Sequence, residues 1–376
     1  MIVLKGGIMR KHINISHRYL ILNRPFIVLL AYLCLIQYSL YGINSAISYN
    51  FNNCGRFGDH MVVYCKAKYL SLKTGLPLFF RNFSATDHFT MHYTEKHYSQ
   101  DMKFNGYMKV HSRSEINPQF DGILFMVDIF TSTGEPYIQE EQFLPSALPM
   151  RMNFYIDELY QRMQQDDDFK NTLKQMLRPI STTNIFQINS EENTISVAVH
   201  VRKSSYEDRP LFSKQLYTRD EITELQNFSG MDHKTEYSDI QNPLRFPPEQ
   251  YYIDQINKLS TCLSDKKLYI QLFTDYNNPE ELLQRFKQFC QGANCTISLG
   301  TTGPWQDAFV QDVFKMAYFD CLIRSSSHFP GISQLIGNHK LIISPKNYKW
   351  IKDRLVITET NIVVNDDKFK ALLDTH

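Results

Sequence analysis

Residues that could carry chemistry gather in one short stretch, Ile195 to Asp208, which reads ISVAVHVRKSSYED. Its apolar, β-branched part contains His200 and is followed at once by Arg202. This pattern predicts a buried parallel strand, and ligands of open α/β sheets bind beyond the carboxyl ends of the strands. Because a guanidinium can bind two phosphate oxygens in parallel, the stretch indicates a phosphate-bearing ligand at Arg202. The alternative is that Arg202 forms a structural ion pair.

Two further polar clusters follow predicted strands. Thr274 and Asp275 come directly after the apolar run 268–273, and the serines Ser325 to Ser327 precede a short predicted helix, 329–336. A serine cluster before a helix can offer hydroxyl groups and backbone amides to an anion, which would bind phosphate without a metal ion. The same serines could instead cap the helix.

Another polar segment lies early in the chain and reads CGRFGDHM, with Gly55, Arg56, Gly58 and Asp59. A helix is predicted to follow from residue 61 to residue 72, and Asp59 is well placed to cap it. The segment has only two glycines and no Gly-Lys-Ser/Thr sequence. It therefore matches neither the dinucleotide-binding fingerprint nor a P-loop.

The elements that would position these groups alternate between strands and helices. From residue 191 onward the pattern predicts a parallel, doubly wound domain. Before it, residues 46–80 predict a βαβ unit, and Arg151 to Leu177 predicts one long helix that contains the acidic run 166–168. In the second half we predict strands at 195–201, 268–273, 295–299, 321–323 and 340–343 and helices at 251–263, 279–290, 306–319 and 329–336.

Length and composition narrow the class of protein. The 376 residues suffice for two domains, and 43% hydrophobic with 21% charged residues is a globular composition. A formal charge of +1 argues against a dedicated nucleic-acid-binding protein. The seven cysteines show neither zinc-site spacing nor a CxxC pair, and a disulfide between Cys290 and Cys295 is left open.

The N-terminal region predicts a targeting segment. Basic side chains between residues 5 and 24 precede an apolar run from Phe26 to Ile43, which is the order found in a signal peptide or a signal anchor. Ala46 to Ser48 offers a small-x-small cleavage site, so both removal and retention are open. We therefore expect a membrane-anchored or secretory-pathway protein, Golgi-type in a eukaryote. A buried N-terminal helix is the alternative.

Four motifs in a fixed order resemble the fucosyltransferase superfamily that includes the α1,2-, α1,6- and protein O-fucosyltransferases. The loop from Gly55 to Met61 resembles the family's Gly-x-x-Gly-Asn-Gln-Met loop, and His200 with Arg202 matches its HxR motif. The strand end LFTD follows. The family's last motif is matched by Asp312, Met316, Ser327 and Phe329.

The resemblance implies a GT-B-like α/β fold, with two Rossmann-like domains facing across a cleft. We expect an acceptor-side domain at 46–190, a donor domain at 191–346, and a C-terminal tail or helix at 347–376. The implied reaction transfers fucose from GDP-fucose to a hydroxyl of a glycan or glycoprotein, with inversion and without a metal ion. A galactoside α1,2-type acceptor is favoured.

The resemblance also implies roles for individual residues. Arg202 would bind the pyrophosphate, His200 would support the ribose or a phosphate, and Asp312 would contact the guanine. The catalytic candidates are Asp59, His200 and Arg202. The donor-binding candidates are Arg202, His200, Asp312, Ser325, Ser326, Ser327, Gly55, Arg56, Gly58 and Asp275.

Departures from the family pattern leave the acceptor chemistry open. Lys203 replaces an arginine and Ser205 replaces an aspartate of the HxRRxD pattern, while Asp59 and His60 stand where the family has Asn-Gln. As a carboxylate, Asp59 could serve as a general base, a role that an amide cannot fill. The alternatives to the favoured reaction are protein O-fucosylation, another nucleotide sugar, and a sugar-nucleotide-binding protein without turnover. Asp366-Asp367 could bind a metal ion or cap a final helix.

Overall fold

The computed structural model describes residues 45–51, 57–132, 158–180, 193–203, 244–289, 294–300, 305–351 and 354–374. The described elements of the first half, in chain order, are β1 (Ala46–Tyr49), α1 (Phe57–Thr74), β2 (Phe79–Phe80), α2 (Met91–Thr94), β3 (Lys96–His97), β4 (Gly106–Ser112), β5 (Ile123–Ser132), α3 (Glu158–Gln165) and α4 (Asp167–Met176). Those of the second half are β6 (Thr194–Val201), α5 (Glu249–Cys262), β7 (Lys267–Thr274), α6 (Pro279–Phe289), β8 (Cys295–Leu299), α7 (Trp305–Met316), β9 (Cys321–Arg324), α8 (His328–Ile336), β10 (Leu341–Ile351), β11 (Arg354–Val364) and α9 (Asp367–Asp374).

The second half forms a six-stranded sheet in the order β11-β10-β9-β6-β7-β8. Its strands run parallel, except for β11, which pairs antiparallel with β10. The central strand β6 is buried from Ser196 to Val201, as expected for an apolar, β-branched strand with helices on both faces. The expectation of a doubly wound α/β domain is confirmed.

The first half forms a smaller parallel sheet in the order β1-β5-β4, with a separate pair of short parallel strands, β2 and β3. Helix α1 packs on this sheet and is buried through most of its length. The α/β fold with two parallel sheets thus agrees with the prediction from the sequence. Each sheet has its own apolar core.

Helices α7 and α8 connect the two halves. They follow strands of the larger sheet, yet Val313, Ile332 and Leu335 belong to the same apolar core as α1 and β1. Tyr160 on α3 donates a hydrogen bond of 2.5 Å to the backbone oxygen of Gly331 on α8. The start of α8 is therefore held by both halves of the molecule.

The crossing of α1 and α8 depends on Gly58. A Cβ atom at this position would lie 2.8 Å from the backbone nitrogen of Phe329 and 3.1 Å from its Cα. Real Cβ atoms essentially never approach backbone as closely as 2.8 Å, so only glycine lets the two helices come this close. The contact places the first turn of α1 against the first turn of α8.

Several predicted boundaries are wrong. Helix α1 begins at Phe57 rather than at residue 61, so Asp59 lies inside the first turn and not at the cap position. The predicted long helix 151–177 is two helices, α3 and α4, in its described part. The break falls at Asp166, whose carboxylate accepts a hydrogen bond from the amide of Phe169 at 3.0 Å and forms an ion pair with Lys73 at 2.6 Å.

The C-terminal part also differs from the predicted tail. Residues 354–364 form the edge strand β11, which pairs with β10 along its whole length. Asp366 accepts a hydrogen bond from the amide of Phe369 at 3.0 Å and so caps α9. Of its two predicted roles, metal ligand or helix cap, the structure shows the helix cap. Strand β11 thus forms one edge of the larger sheet.

Along the part of the chain that the structure describes, none of the helices has the length and apolarity that a bilayer crossing needs. The apolar run 26–43 that predicts a signal or anchor lies outside the described residues. So do Cys290 of the suggested disulfide, the loop residues Gly55 and Arg56, and Ser205.

Candidate active site at the start of helix α8

Arg202 follows the last residue of β6 and is 9% exposed. Its Nη1 atom donates a hydrogen bond of 2.5 Å to the hydroxyl oxygen of Ser327, at the start of α8. The guanidinium also lies over the ring of Phe246, 5.1 Å from the ring centre. Strands β6 and β9 are paired in register up to His200 and Arg324, which is why the residues after both strands meet at one edge of the sheet.

A second buried guanidinium, that of Arg324, lies beside the same serines. Its Nη1 atom donates to the backbone oxygens of Ser325 and Ser327, at 3.3 and 3.4 Å. The backbone oxygen of Arg324 accepts a hydrogen bond from the hydroxyl of Tyr251 at 3.2 Å. Two arginines therefore reach Ser327, one at its side chain and one at its backbone.

Arg324 is not among the residues predicted from the sequence. The one feature of the sequence that could have pointed to Arg324 is its position. It ends an apolar strand immediately before the serine cluster, much as Arg202 comes directly after β6. Its proximity to Arg202 depends on the pairing of β9 with β6, two strands that are far apart in the sequence. Only the sheet order brings the two cations together.

The three predicted serines have different roles. Ser327 occupies the cap position of α8, but its side chain makes no capping hydrogen bond and binds Arg202 instead. The amide of Ser326 donates to the backbone oxygen of Leu244 at 2.8 Å, which fixes the turn before the helix. Ser325 is fully buried. The structure thus places Ser327 in the Arg202 site rather than in a plain helix cap.

His200 is buried in β6, with its ring 5.5 Å from the ring of Phe329. Burial, together with the positive charges of Arg202 and Arg324, lowers the pKa of His200 to about 3. The imidazole is therefore neutral at physiological pH. It can donate or accept a hydrogen bond, but it contributes no positive charge to bind a phosphate.

Lys203, the residue after Arg202, forms an ion pair with Glu249. Its Nζ atom lies 2.9 Å from Oε1 of Glu249, which also pairs with Arg285 at 2.8 Å. Its amide donates to the carboxylate of Asp275 at 2.8 Å. Asp275, a predicted donor-binding residue, is exposed and here holds the backbone after β6.

A carboxylate–imidazole pair joins the two halves of the molecule next to this site. Nδ1 of His328 donates a hydrogen bond of 2.6 Å to Oδ1 of Asp59, and Nη2 of Arg245 lies 3.9 Å from the same oxygen. The side chains of His328 and Asp59 are 12% and 11% exposed. Burial is the main reason that the pKa of His328 is lowered; Arg245 and Lys66 lower it further, and Asp59 opposes them.

Of the remaining predicted residues, Gly58 serves the crossing of α1 and α8. Asp312 lies half-buried on α7, one helical turn from Lys315. Burial lowers the pKa of Lys315, and the charge of Asp312 offsets only part of this effect. Helix α7 packs on α8, where the hydroxyl of Ser333 donates to the backbone oxygen of Val313 at 2.7 Å.

In the described part of the chain no group of three or more His, Cys, Asp or Glu side chains could hold a metal ion.

Comparison with known proteins gives structural neighbours only. No family model matches the sequence, and no curated protein matches it significantly. A crystal structure of POFUT1 in complex with GDP is 12% identical, with a TM-score of 0.40 over 80% of this chain and 96% of that one. POFUT1 in complex with GDP-fucose gives 11% identity and a TM-score of 0.38, over 79% and 94% of the two chains.

NodZ alpha-1,6-fucosyltransferase soaked with GDP-fucose is 14% identical, with a TM-score of 0.37 over 86% of this chain and 99% of that one. At such identities and TM-scores, the functional argument rests on the residues described above.

Proposed function

We propose that this protein is a glycosyltransferase that transfers fucose from GDP-fucose to a hydroxyl group of a glycan. Within that class we favour a galactoside acceptor with α1,2 linkage, inversion at the sugar, and no metal ion in catalysis. The four sequence motifs and the fold neighbours, which include proteins solved with GDP-fucose, support the donor. The arrangement of two buried arginines at the start of α8 carries the proposal.

This arrangement suits a diphosphate. Arg202 and Arg324 both reach Ser327, and α8 begins at the next residue with its amide groups directed toward its N-terminal end. Each hydrogen bond between a charged group and a phosphate oxygen contributes about 1.5–3 kcal/mol. Preformed positive charge of this kind stabilises the diphosphate that leaves when the bond to fucose breaks. That is the work that a divalent ion does in metal-dependent transferases.

Arg202 already makes a polar contact that a phosphate oxygen could replace. Its guanidinium donates to the hydroxyl of Ser327 and lies over the ring of Phe246. A serine hydroxyl is a weaker partner for a guanidinium than a phosphate group is. Arg202 is therefore suited to bind an anion, and the loss of the family's second arginine at position 203 leaves this site in place.

The test is release of GDP from GDP-fucose with a panel of galactoside acceptors. We expect acceptor-dependent release by the wild-type protein and a loss of at least about 100-fold in Arg202→Ala, because charge stabilisation of the leaving group is removed. Lys340→Ala is the matched control: it also removes a partly buried cation, at the opposite edge of the sheet, where Lys340 pairs with Asp320. A wild-type protein that binds GDP without turnover would support the binding-protein alternative instead.

A further inference from the structure

His328 and Asp59 lie beside the proposed phosphate site, at the start of α8. His328 directly follows Ser327, the residue that binds Arg202, so the imidazole is one residue from the proposed diphosphate site. Asp59 comes from the other half of the molecule, 269 residues away in sequence. The pair is thus built from both sides of the region between the two sheets.

The hydrogen bond fixes the chemistry of the imidazole. A carboxylate can only accept, so Nδ1 of His328 carries the proton in the bond to Asp59. In the neutral ring Nε2 is then the nitrogen with the lone pair, which is the tautomer required to take a proton from a hydroxyl. An adjacent carboxylate also stabilises the imidazolium that forms, as it does in catalytic triads.

We propose that His328 is the general base that deprotonates the acceptor hydroxyl and that Asp59 positions it, an inference that rests on the proposed function. The acceptor oxygen forms the new bond to the anomeric carbon of fucose while its proton passes to Nε2 of His328. The bond from that carbon to the diphosphate breaks, and GDP leaves with the electron pair, held by Arg202 and Arg324. The proton then returns from His328 to solvent.

This assignment differs from the idea that Asp59 itself is the base. Asp59 Oδ1 is occupied by His328 at 2.6 Å and lies 3.9 Å from Arg245. A carboxylate next to two cationic or hydrogen-donating groups is a weaker base, because both favour its charged form. The sequence suggested the carboxylate because it replaces an amide of the family; the structure gives it a partner that is better suited to proton transfer.

Burial, more than the surrounding charges, lowers the pKa of His328 and keeps its imidazole neutral and able to accept a proton. Among the described residues, Asp59 and Lys66 face it from α1 and Arg245 from the segment before α5. The lowered pKa leaves the imidazole neutral at neutral pH. Activity should therefore hold at neutral pH and fall in acid, as His328 becomes protonated.

The decisive variants are His328→Gln and Asp59→Asn, assayed with GDP-fucose and the galactoside on which the wild-type protein is most active. We expect His328→Gln to lower kcat about 100- to 10,000-fold, the usual contribution of a general base. Its affinity for GDP should change less than about threefold, since the phosphate site is intact. Asp59→Asn should lose less activity, and the acid limb of its kcat/KM profile should move to lower pH, because Asp59 raises the pKa of His328.

His339→Gln is the matched control. His339 is also a buried imidazole with a lowered pKa, but its Nδ1 donates to the backbone oxygen of Phe319 at 2.8 Å, away from the site. Its kcat per folded protein should stay within about threefold of wild type. Retention of wild-type kcat in His328→Gln, or a larger loss in Asp59→Asn than in His328→Gln, would overturn the proposal.

The outcomes also separate this proposal from the function on which it rests. A wild-type protein that transfers fucose, with His328→Gln equally active, removes the base and leaves the transferase. A wild-type protein that neither binds GDP nor releases it from GDP-fucose overturns both. Loss of transfer in His328→Gln with unchanged GDP affinity supports both.

Discussion

At the scale of single residues, Arg202 and Lys203 are neighbours in the chain with separate tasks. Lys203 is held by Glu249 and by Asp275 through its amide, while Arg202 turns to Ser327. Arg285 and Lys203 lower the pKa of Glu249, although its burial raises it. The ion pair thus anchors the backbone after β6, next to the position of Arg202.

His200 gives a prediction at this scale. Its pKa is lowered to about 3, so from pH 6.5 downward the unfolded chain takes up a proton that the folded protein does not. The free energy of unfolding should therefore fall as the pH falls through this range. In His200→Gln the slope should be smaller by up to about 1.4 kcal/mol per pH unit.

Urea unfolding of wild type and His200→Gln between pH 7 and pH 4.5 measures the difference in slope. His88→Gln, the same substitution at a half-exposed surface histidine, controls for the exchange of residue type. Identical slopes for wild type and His200→Gln would show that His200 is not held neutral by its surroundings.

At the scale of elements, the site depends on the crossing of α1 and α8. Gly58 lets the first turns of these helices touch, and the touching turns carry Asp59 and His328. The glycine that resembles a family loop residue therefore acts through packing. Gly58 lies against the backbone of Phe329. Movement of a flexible side chain therefore could not make room for a Cβ atom at this position.

Gly58→Ala should destabilise the protein and separate Asp59 from His328. Overpacking of this kind costs about 1–3 kcal/mol, and contact with backbone at 2.8 Å places Gly58 at the upper end. The cost exceeds the roughly 1 kcal/mol that alanine gains over glycine in a helix. Thermal unfolding and kcat would both be measured.

Gly106→Ala is the matched control for that variant. Its added Cβ would meet only the end of the Ile123 side chain, at 3.3 Å, which can shift. Gly106→Ala should therefore remain close to wild type in stability and activity. A Gly58→Ala protein that unfolds at the wild-type temperature would contradict the packing argument.

The sequence predicts a strand or helix well where its bounds follow from the residues of that segment alone. Strand β8 has the predicted bounds 295–299, and the predicted strand 195–201 differs from β6 by one residue. The predicted start of α1 is wrong and the break at Asp166 was not predicted, because both depend on packing and capping. Strand β11 contains the β-branched residues Val356, Ile357 and Thr358, but its partner and register come only from the folded sheet.

At the scale of the whole molecule, the active-site candidates come from sheet order and from contact between the two halves. The HxR motif predicts Arg202, but Arg324 joins it only because β9 lies beside β6. Asp59 and His328 meet only because α8, which follows a strand of the larger sheet, packs in the core of the smaller one. Long-range pairings of this kind leave no local pattern in the sequence.

The central claim is that the two arginines at the start of α8 bind the diphosphate of GDP. Calorimetric titration of GDP into wild type, Arg202→Ala and Lys340→Ala tests it most directly. We expect Arg202→Ala to bind GDP about 10- to 100-fold more weakly, equivalent to the loss of about one charged hydrogen bond. Lys340→Ala should bind as wild type does. Equal GDP affinity in wild type and Arg202→Ala would contradict the account.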